Sequence, residues 1–157
     1  MTYLRHIATQ FRLKNGYHVP VHVLASRMAE RNQQHTQYAY LRMMCVVVTL
    51  VGIDEEKGPQ VFKIDPAGSC YGFHACASGS KEQEAVNALE KQHKKKDGKF
   101  TTDEAIQNAV GTLQNVISSD FKANEVEVGV ATADNPFFRK LTEQEIDFHL
   151  NVIADRA

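Results

Sequence analysis

The chain has 157 residues, of which 43% are apolar and 24% charged, and its formal net charge is −1. These values are typical of one globular domain with a real core, so we expect a single domain over residues 1–157. They exclude bulk charge as a source of non-specific binding to nucleic acid or membranes. The three cysteines, Cys45, Cys70 and Cys76, are an odd and sparse set, which favours a reducing compartment over a disulfide framework.

The first twenty residues show no signal-peptide pattern, because charged side chains interrupt their apolar positions. The longest apolar run, Met43–Ile53, is too short to span a bilayer. We therefore expect a cytosolic or nuclear protein.

Two helices are predicted at the start of the chain. The first, Tyr3–Lys14, has an apolar face and is followed by the stop signal Asn15-Gly16. The second begins at Pro20 and ends near His35. Its apolar residues have amphipathic helical spacing: Val21, Leu24, Ala25, Met28 and Ala29.

Three strands and two tight turns follow between Cys45 and Cys76. The strands are predicted at Cys45–Ile53, at Gln60–Ile64 and from Cys70 to Cys76, so that all three cysteines fall in strands. The sequence Asp65-Pro66-Ala67-Gly68 has the residues of a type I turn at their usual positions. Short turns between consecutive strands indicate antiparallel pairing.

The second half of the chain contains three predicted capping boxes, each of which marks the start of a helix. They pair Ser80 with Gln83, Thr101 with Glu104, and Thr142 with Glu145. The helix after Thr101 has a long apolar stripe: Ala105, Ile106, Ala109, Val110, Leu113, Val116 and Ile117. Strands are predicted at Val126–Val130 and Phe137–Leu141. The predicted order is α-α-β-β-β-α-α-β-β-α, an α+β fold with helices layered outside a sheet.

Four features of the sequence have residue types that could serve catalysis or ligand binding. Gly79-Ser80-Lys81 lacks the other residues of a P-loop, so a helix N-cap explains it better. His18 and His22 have i, i+4 spacing, but His18 precedes Pro20 and so lies before the helix, which makes a metal site a poor interpretation. Ser118, Asp147 and His149 belong to no catalytic motif.

Thr2 is the fourth candidate. A threonine at a free N-terminus can attack a carbonyl with its own amine as base. Such a nucleophile is expected to open a buried strand, whereas Thr2 opens a charged helical segment. The residues alone therefore favour a structural or interaction domain, with no catalytic residue, no metal and no cofactor.

Several short motifs of the sequence resemble those of a known protein family. The chain resembles alpha-type subunits of the 20S proteasome, most of all the alpha-type 6 subunit, from about Arg5 to its C-terminus. The strongest match is Gly52-Ile53-Asp54-Glu55-Glu56. Others are Gly16-Tyr17, Pro20-Val21, Gly58-Pro59-Gln60-Val61, Asp65-Pro66-Ala67-Gly68, Lys94-Lys95-Lys96, Asp120-Phe121-Lys122, Asn135-Pro136 and Glu145-Ile146-Asp147.

The resemblance implies a four-layer α-β-β-α sandwich of the N-terminal-nucleophile hydrolase type. It also implies a non-catalytic subunit of the outer alpha ring, acting in ATP- and ubiquitin-dependent protein degradation through ring assembly and gating. Its partners would be neighbouring alpha subunits, beta-ring subunits and, indirectly, regulatory particles. In the family the first two of these helices face the beta ring, which makes Phe11, Arg12, Tyr17 and His18 candidate contact residues.

By the same resemblance, the sandwich is incomplete, because the family's gating tail, a short helix and four early strands have no counterpart here. A truncated gene model, a deliberately shortened protein and a genuine short form all fit this difference. We expect unpaired sheet edges and exposed helix faces, and hence a chain that is unstable or aggregation-prone alone. Two alternatives to a ring subunit remain: an N-terminal-threonine hydrolase using Thr2, and a truncated decoy that binds alpha subunits without completing a ring.

Overall fold

The structure is a computed structural model that describes residues 2–119 and 122–155. It is an α+β fold whose elements follow the predicted order. They are α1 (Thr2–Asn15), α2 (Val21–Gln37), β1 (Val48–Asp54), β2 (Gly58–Ile64), β3 (Cys70–Phe73), α3 (Glu82–Lys96), α4 (Thr102–Ile117), a 3₁₀ helix (Ala123–Glu125), β4 (Gly129–Val130), β5 (Arg139–Lys140) and α5 (Glu143–Ala154). No helix in the described ranges is both long and apolar enough to cross a bilayer.

The chain divides into two compact units. We call residues 2–74 the sheet unit and the described residues from 75 to 155 the helix unit. The prediction of a single domain over residues 1–157 stays a prediction.

In the sheet unit, β1, β2 and β3 form an antiparallel sheet in that order. Helix α2 packs on the sheet and α1 packs on α2, so the predicted layering of helices outside a sheet is confirmed here. Alternation along the strands turns Leu50 and Phe62 toward the helices. The buried core residues are Leu4, Ala25, Met28, Ala29 and Ile64.

The opposite face of this sheet is also apolar. Val51, Val61 and Phe73 are cross-strand partners in one row. Val51 is 65% exposed and Phe73 is 44% exposed. An apolar row of this kind is typical of a sheet face that another layer covers.

Both predicted turns of the sheet form. The amide of Gly68 donates to the carbonyl of Asp65 at 3.2 Å, and a carboxylate oxygen of Asp65 accepts from the amide of Ser69 at 2.8 Å. In the turn before it, Asp54 accepts from the amides of Glu56 and Lys57 at 3.1 and 3.0 Å. These amides hold the pKa of both aspartates below its ordinary value.

In the helix unit, α4 packs between α3 and α5, and β4 pairs with β5 in a two-stranded ribbon. A small core joins the ribbon to α5 through Ala123, Leu141 and Ile146. The capping boxes at Thr101 and Thr142 form as predicted, because each threonine accepts from the amide of a glutamate that bonds back to it.

The prediction of a capping box between Ser80 and Gln83 is wrong. Helix α3 begins at Glu82 and its N-cap is Lys81, with no side-chain cap. The amide of Glu82 already bonds the carbonyl of Gly79 at 3.3 Å, so Ser80 lies inside a turn and not at the cap position. The ammonium of Lys81 instead donates to the carbonyl of Val116, at the end of α4, at 2.7 Å.

Two other predictions were wrong in detail. Cys45 and Cys76 lie outside the strands, because β1 begins later and β3 ends earlier than predicted, and of the three cysteines only Cys70 is in a strand. The last two strands contain two residues each. The α4 stripe is only partly buried, because neighbours on both sides of the helix bury polar Gln107 and Thr112 while Leu113 and Ile117 are 42% and 48% exposed.

Candidate interaction surface

The turn between α1 and α2 brings two of the predicted contact residues together. Helix α1 ends where the amide of Gly16 bonds the carbonyl of Arg12 at 2.9 Å, with Gly16 at a φ of +82°. That left-handed conformation favours glycine and reverses the chain. Tyr17 consequently folds back, with its ring edge-on to Phe11 at 5.2 Å between centroids.

Each of the other two predicted residues directly follows one member of this aromatic pair in the chain. Arg12 is exposed in the last turn of α1. His18 is exposed in the connection, and α2 begins only at Val21 with Pro20 as its N-cap, so the predicted position of His18 before the helix is confirmed. Tyr17 is 52% exposed, which leaves an aromatic surface at this corner.

A groove of about 560 Å³ runs between α1 and α2. Some of the polar side chains that line the groove contact other side chains of α1 and α2. The guanidinium of Arg31 lies over the ring of Tyr3 at 3.8 Å, a cation–π contact, and Arg27 pairs with Glu30 at 3.3 Å. Lys14 and Phe11 line the α1 side.

Two glycines let α2 lie close to the sheet. A Cβ on Gly52 would come within 2.7 Å of the side chain of Val21. A Cβ on Gly68 would come within 2.7 Å of the carbonyl oxygen of Ala29, and Gly68 has a φ of +95°. The strongest family motif and the second turn therefore contain glycine where the sheet meets α2.

Asn32 completes this contact and was missed by sequence reasoning. Its side chain is fully buried, and its amide nitrogen donates to the carbonyl of Asp65 at 2.7 Å. A signal was present, because Asn32 is three and four residues after Ala29 and Met28, on the same apolar face. The groove was also missed, since its lining comes from two helices whose mutual packing no local pattern specifies.

The structure gives the catalytic candidates no common site. Thr2 is exposed in the first turn of α1, within a helix as predicted. Ser118 is the C-cap of α4 and lines a different cavity from buried His149. Among residues 2–119 and 122–155, no three His, Cys, Asp or Glu side chains are arranged to hold a metal ion.

Comparison with known proteins gives the family. A model of the proteasome subunit family matches residues 1–131, so the chain belongs to the proteasome subunit family. It is 42% identical over 149 residues to the probable proteasome subunit alpha type-1 of Schizosaccharomyces pombe, covering 95% of this chain and 61% of that protein. Its identity to proteasome subunit alpha type-6 of Caenorhabditis elegans is 40% over 149 residues, covering 95% and 60%.

The similarity extends to archaea. Proteasome subunit alpha of Pyrococcus horikoshii is 29% identical over 142 residues, covering 90% of this chain and 52% of that protein. The resemblance to proteasome alpha-type subunits is thus confirmed. The chain spans about three fifths of the length of the first two relatives. Asp120 and Phe121, which the resemblance includes, lie outside the described residues.

Proposed function

We propose that this chain is a non-catalytic structural subunit of the outer alpha ring of the 20S proteasome. In that role it contributes to ATP- and ubiquitin-dependent degradation through ring assembly and gating. The observation that carries the proposal is its similarity, over nearly its whole length, to relatives named as alpha subunits. The cytoplasm and nucleus, proposed as its location, follow from this assignment alone.

The contact with the beta ring is proposed to lie on α1 and α2. In support, the corner formed by Phe11 and Tyr17 exposes aromatic surface beside charged Arg12, a combination enriched at protein interfaces. Gly52 and Gly68 let α2 lie close to the sheet, and α1 packs on α2, so the sheet supports both helices. Neighbouring alpha subunits are the proposed lateral partners, and regulatory particles the indirect ones.

The fold proposed for the chain is the C-terminal portion of a four-layer α-β-β-α sandwich. Two features of the sheet unit support this proposal. Its helices form successive layers on one sheet face, and its other face has the exposed apolar row of Val51 and Phe73. Burying such a row is favourable by roughly 25 cal/mol per Å² of apolar surface.

The test of the function is co-sedimentation. The full 157-residue chain, tagged and added during reconstitution of the alpha ring with beta subunits, is expected to migrate with the core particle. Native gels of the alpha ring without beta subunits separate incorporation from the decoy alternative, in which the chain binds alpha subunits and ring closure stops. A chain that stays at the top of the gradient contradicts both.

The hydrolase alternative has its own test. Hydrolysis of a fluorogenic peptide by the purified chain, lost in Thr2→Ala, would support it. We expect no hydrolysis in either protein, because Thr2 lies exposed on a helix. The control is Thr9→Ala, an exposed threonine of the same helix.

A further inference from the structure

Charge is unevenly distributed along this chain. Residues 2–37 carry five basic side chains and one acidic side chain, Glu30, for a formal charge of +4, whereas the whole chain has a charge of −1. The basic residues are Arg5, Arg12, Lys14, Arg27 and Arg31. The α1–α2 layer is therefore positive on a protein whose remainder is negative, which steers this layer toward negatively charged surfaces.

Within this layer, the groove gathers three of the five cations. Lys14 lies on its α1 side, and Arg27 and Arg31 lie on its α2 side. The contact with the ring of Tyr3 restricts the side chain of Arg31, so less conformational entropy is lost when its guanidinium binds an anion. The planar guanidinium matches the geometry of a carboxylate.

We propose that the groove between α1 and α2 binds an acidic protein segment, whose Asp and Glu side chains lie against Lys14, Arg27 and Arg31. This inference rests on the proposed role of α1 and α2 as a subunit contact and names the chemistry of the partner. The single anion in the groove, Glu30, favours spaced carboxylates over the continuous charge of a nucleic-acid backbone. Apolar Ile7 and Phe11 in the lining give the hydrocarbon parts of such a segment a surface to cover.

The probe for this proposal is a short fluorescein-labelled peptide in which Glu alternates with Ala, followed by fluorescence anisotropy with the full chain. The double variant Lys14→Glu with Arg27→Glu is expected to weaken binding about tenfold, since each reversal replaces an attraction with a repulsion. Arg5→Glu is the control: it is an exposed reversal on α1 that does not line the groove, and we expect a change of less than about twofold. Added salt is expected to weaken binding of the unaltered chain.

Several outcomes overturn the proposal. They are equal weakening by Arg5→Glu, equal binding of a Lys-Ala peptide, and tighter groove-dependent binding of a single-stranded oligonucleotide than of the acidic peptide. Circular dichroism checks that each variant keeps its helices. If the double variant co-sediments as well as the unaltered chain, the proposed role of the groove is contradicted and the proposed function is not. Groove-dependent peptide binding without co-sedimentation supports the groove and contradicts the proposed function.

Discussion

Two helices of the helix unit, α4 and α5, start by a different means from α2 of the sheet unit. In the helix unit, Thr101 and Thr142 satisfy the free amides of α4 and α5 through capping boxes. In the sheet unit, α2 begins after Pro20 without a side-chain cap. Its position is fixed by contacts with residues far along the chain, where Gly52 and Gly68 leave room for Val21 and Ala29.

The difference separates local from long-range specification. A capping box needs only residues three apart, so it forms wherever the chain already tends to turn into a helix. A helix held by close approach to a sheet depends on every atom at the contact, because protein interiors are densely packed. We therefore expect substitutions at the contact of α2 with the sheet to have larger effects than substitutions at the caps.

The largest effect is expected from Gly68→Ala. The new Cβ would meet the carbonyl oxygen of Ala29 at 2.7 Å, and a φ of +95° is unfavourable for alanine. Together these destabilise the sheet unit by about 3 kcal/mol. Hydrogen exchange of β2 and β3 is the measurement, with roughly a hundredfold faster opening expected.

Gly58→Ala is the matched control for this substitution. Gly58 also has a positive φ, +71°, but nothing lies within 4 Å of its added Cβ. Gly58→Ala is therefore destabilising only through the unfavourable backbone conformation of alanine, by about 1 kcal/mol. Equal effects of the two substitutions would mean that the contact with α2 contributes nothing.

Next in size is Asn32→Ala. It removes the 2.7 Å hydrogen bond of a fully buried side chain and leaves part of its space empty, while the carbonyl of Asp65 keeps the 3.2 Å bond from the amide of Gly68. We expect a loss of about 1.5 kcal/mol. Asn15→Ala removes a similar bond, from Asn15 to the carbonyl of Phe11 at 2.9 Å, but on the surface. There we expect about 0.5 kcal/mol or less, since water replaces the bond. Exchange rates of the amides in the Asp65–Ser69 turn and in the last turn of α1 report the two effects separately.

Smaller effects are expected at the caps. Thr101→Ala and Thr142→Ala should each destabilise the first turn of its helix by about 1 kcal/mol. Ser80→Ala is the comparison, because Lys81 is the N-cap of α3, and we expect a change within a few tenths of a kcal/mol. A destabilisation by Ser80→Ala as large as that by Thr142→Ala would indicate that Ser80 does cap α3.

The same distinction explains what the sequence could predict. Element order, both turns of the sheet unit and two of the three capping boxes follow from residues a few positions apart, and all of these formed. The Ser80 box failed because a turn closed by Gly79 and Glu82 moves the start of α3 past Ser80, so that Lys81 is the N-cap. The burial of Gln107 and Thr112 depends on which helices flank α4, and that is a long-range property.

The candidate surface was predictable to a lesser degree. Its four residues came from a resemblance and not from chemistry, and the aromatic contact of Phe11 with Tyr17 follows from the turn at Gly16. The groove and its cations required two helices to be placed side by side. Periodicity predicts each helix and its apolar face, but it does not say which residues line the space between two of them.

The smallest expected effect concerns the titration of Glu145. The amide of Thr142 and then the side chain of Arg139 lower its pKa from an ordinary value of 4.5 to about 2. Because the folded pKa lies below the ordinary value, the contribution of Glu145 to stability is complete above about pH 4.5 and is lost as the pH falls toward 2.

Carbon-13 NMR of the carboxyl group during a pH titration measures this shift directly. In Arg139→Gln we expect the midpoint of Glu145 to rise but to stay below 4.5, because the amide of Thr142, the larger cause, remains. Asp54 in the sheet unit is the internal control, since its pKa is lowered chiefly by the amides of Lys57 and Glu56 and should not respond. An unmoved Glu145 midpoint would assign the whole shift to the capping box, and would make the cap independent of the 3.0 Å ion pair of Glu145 with Arg139.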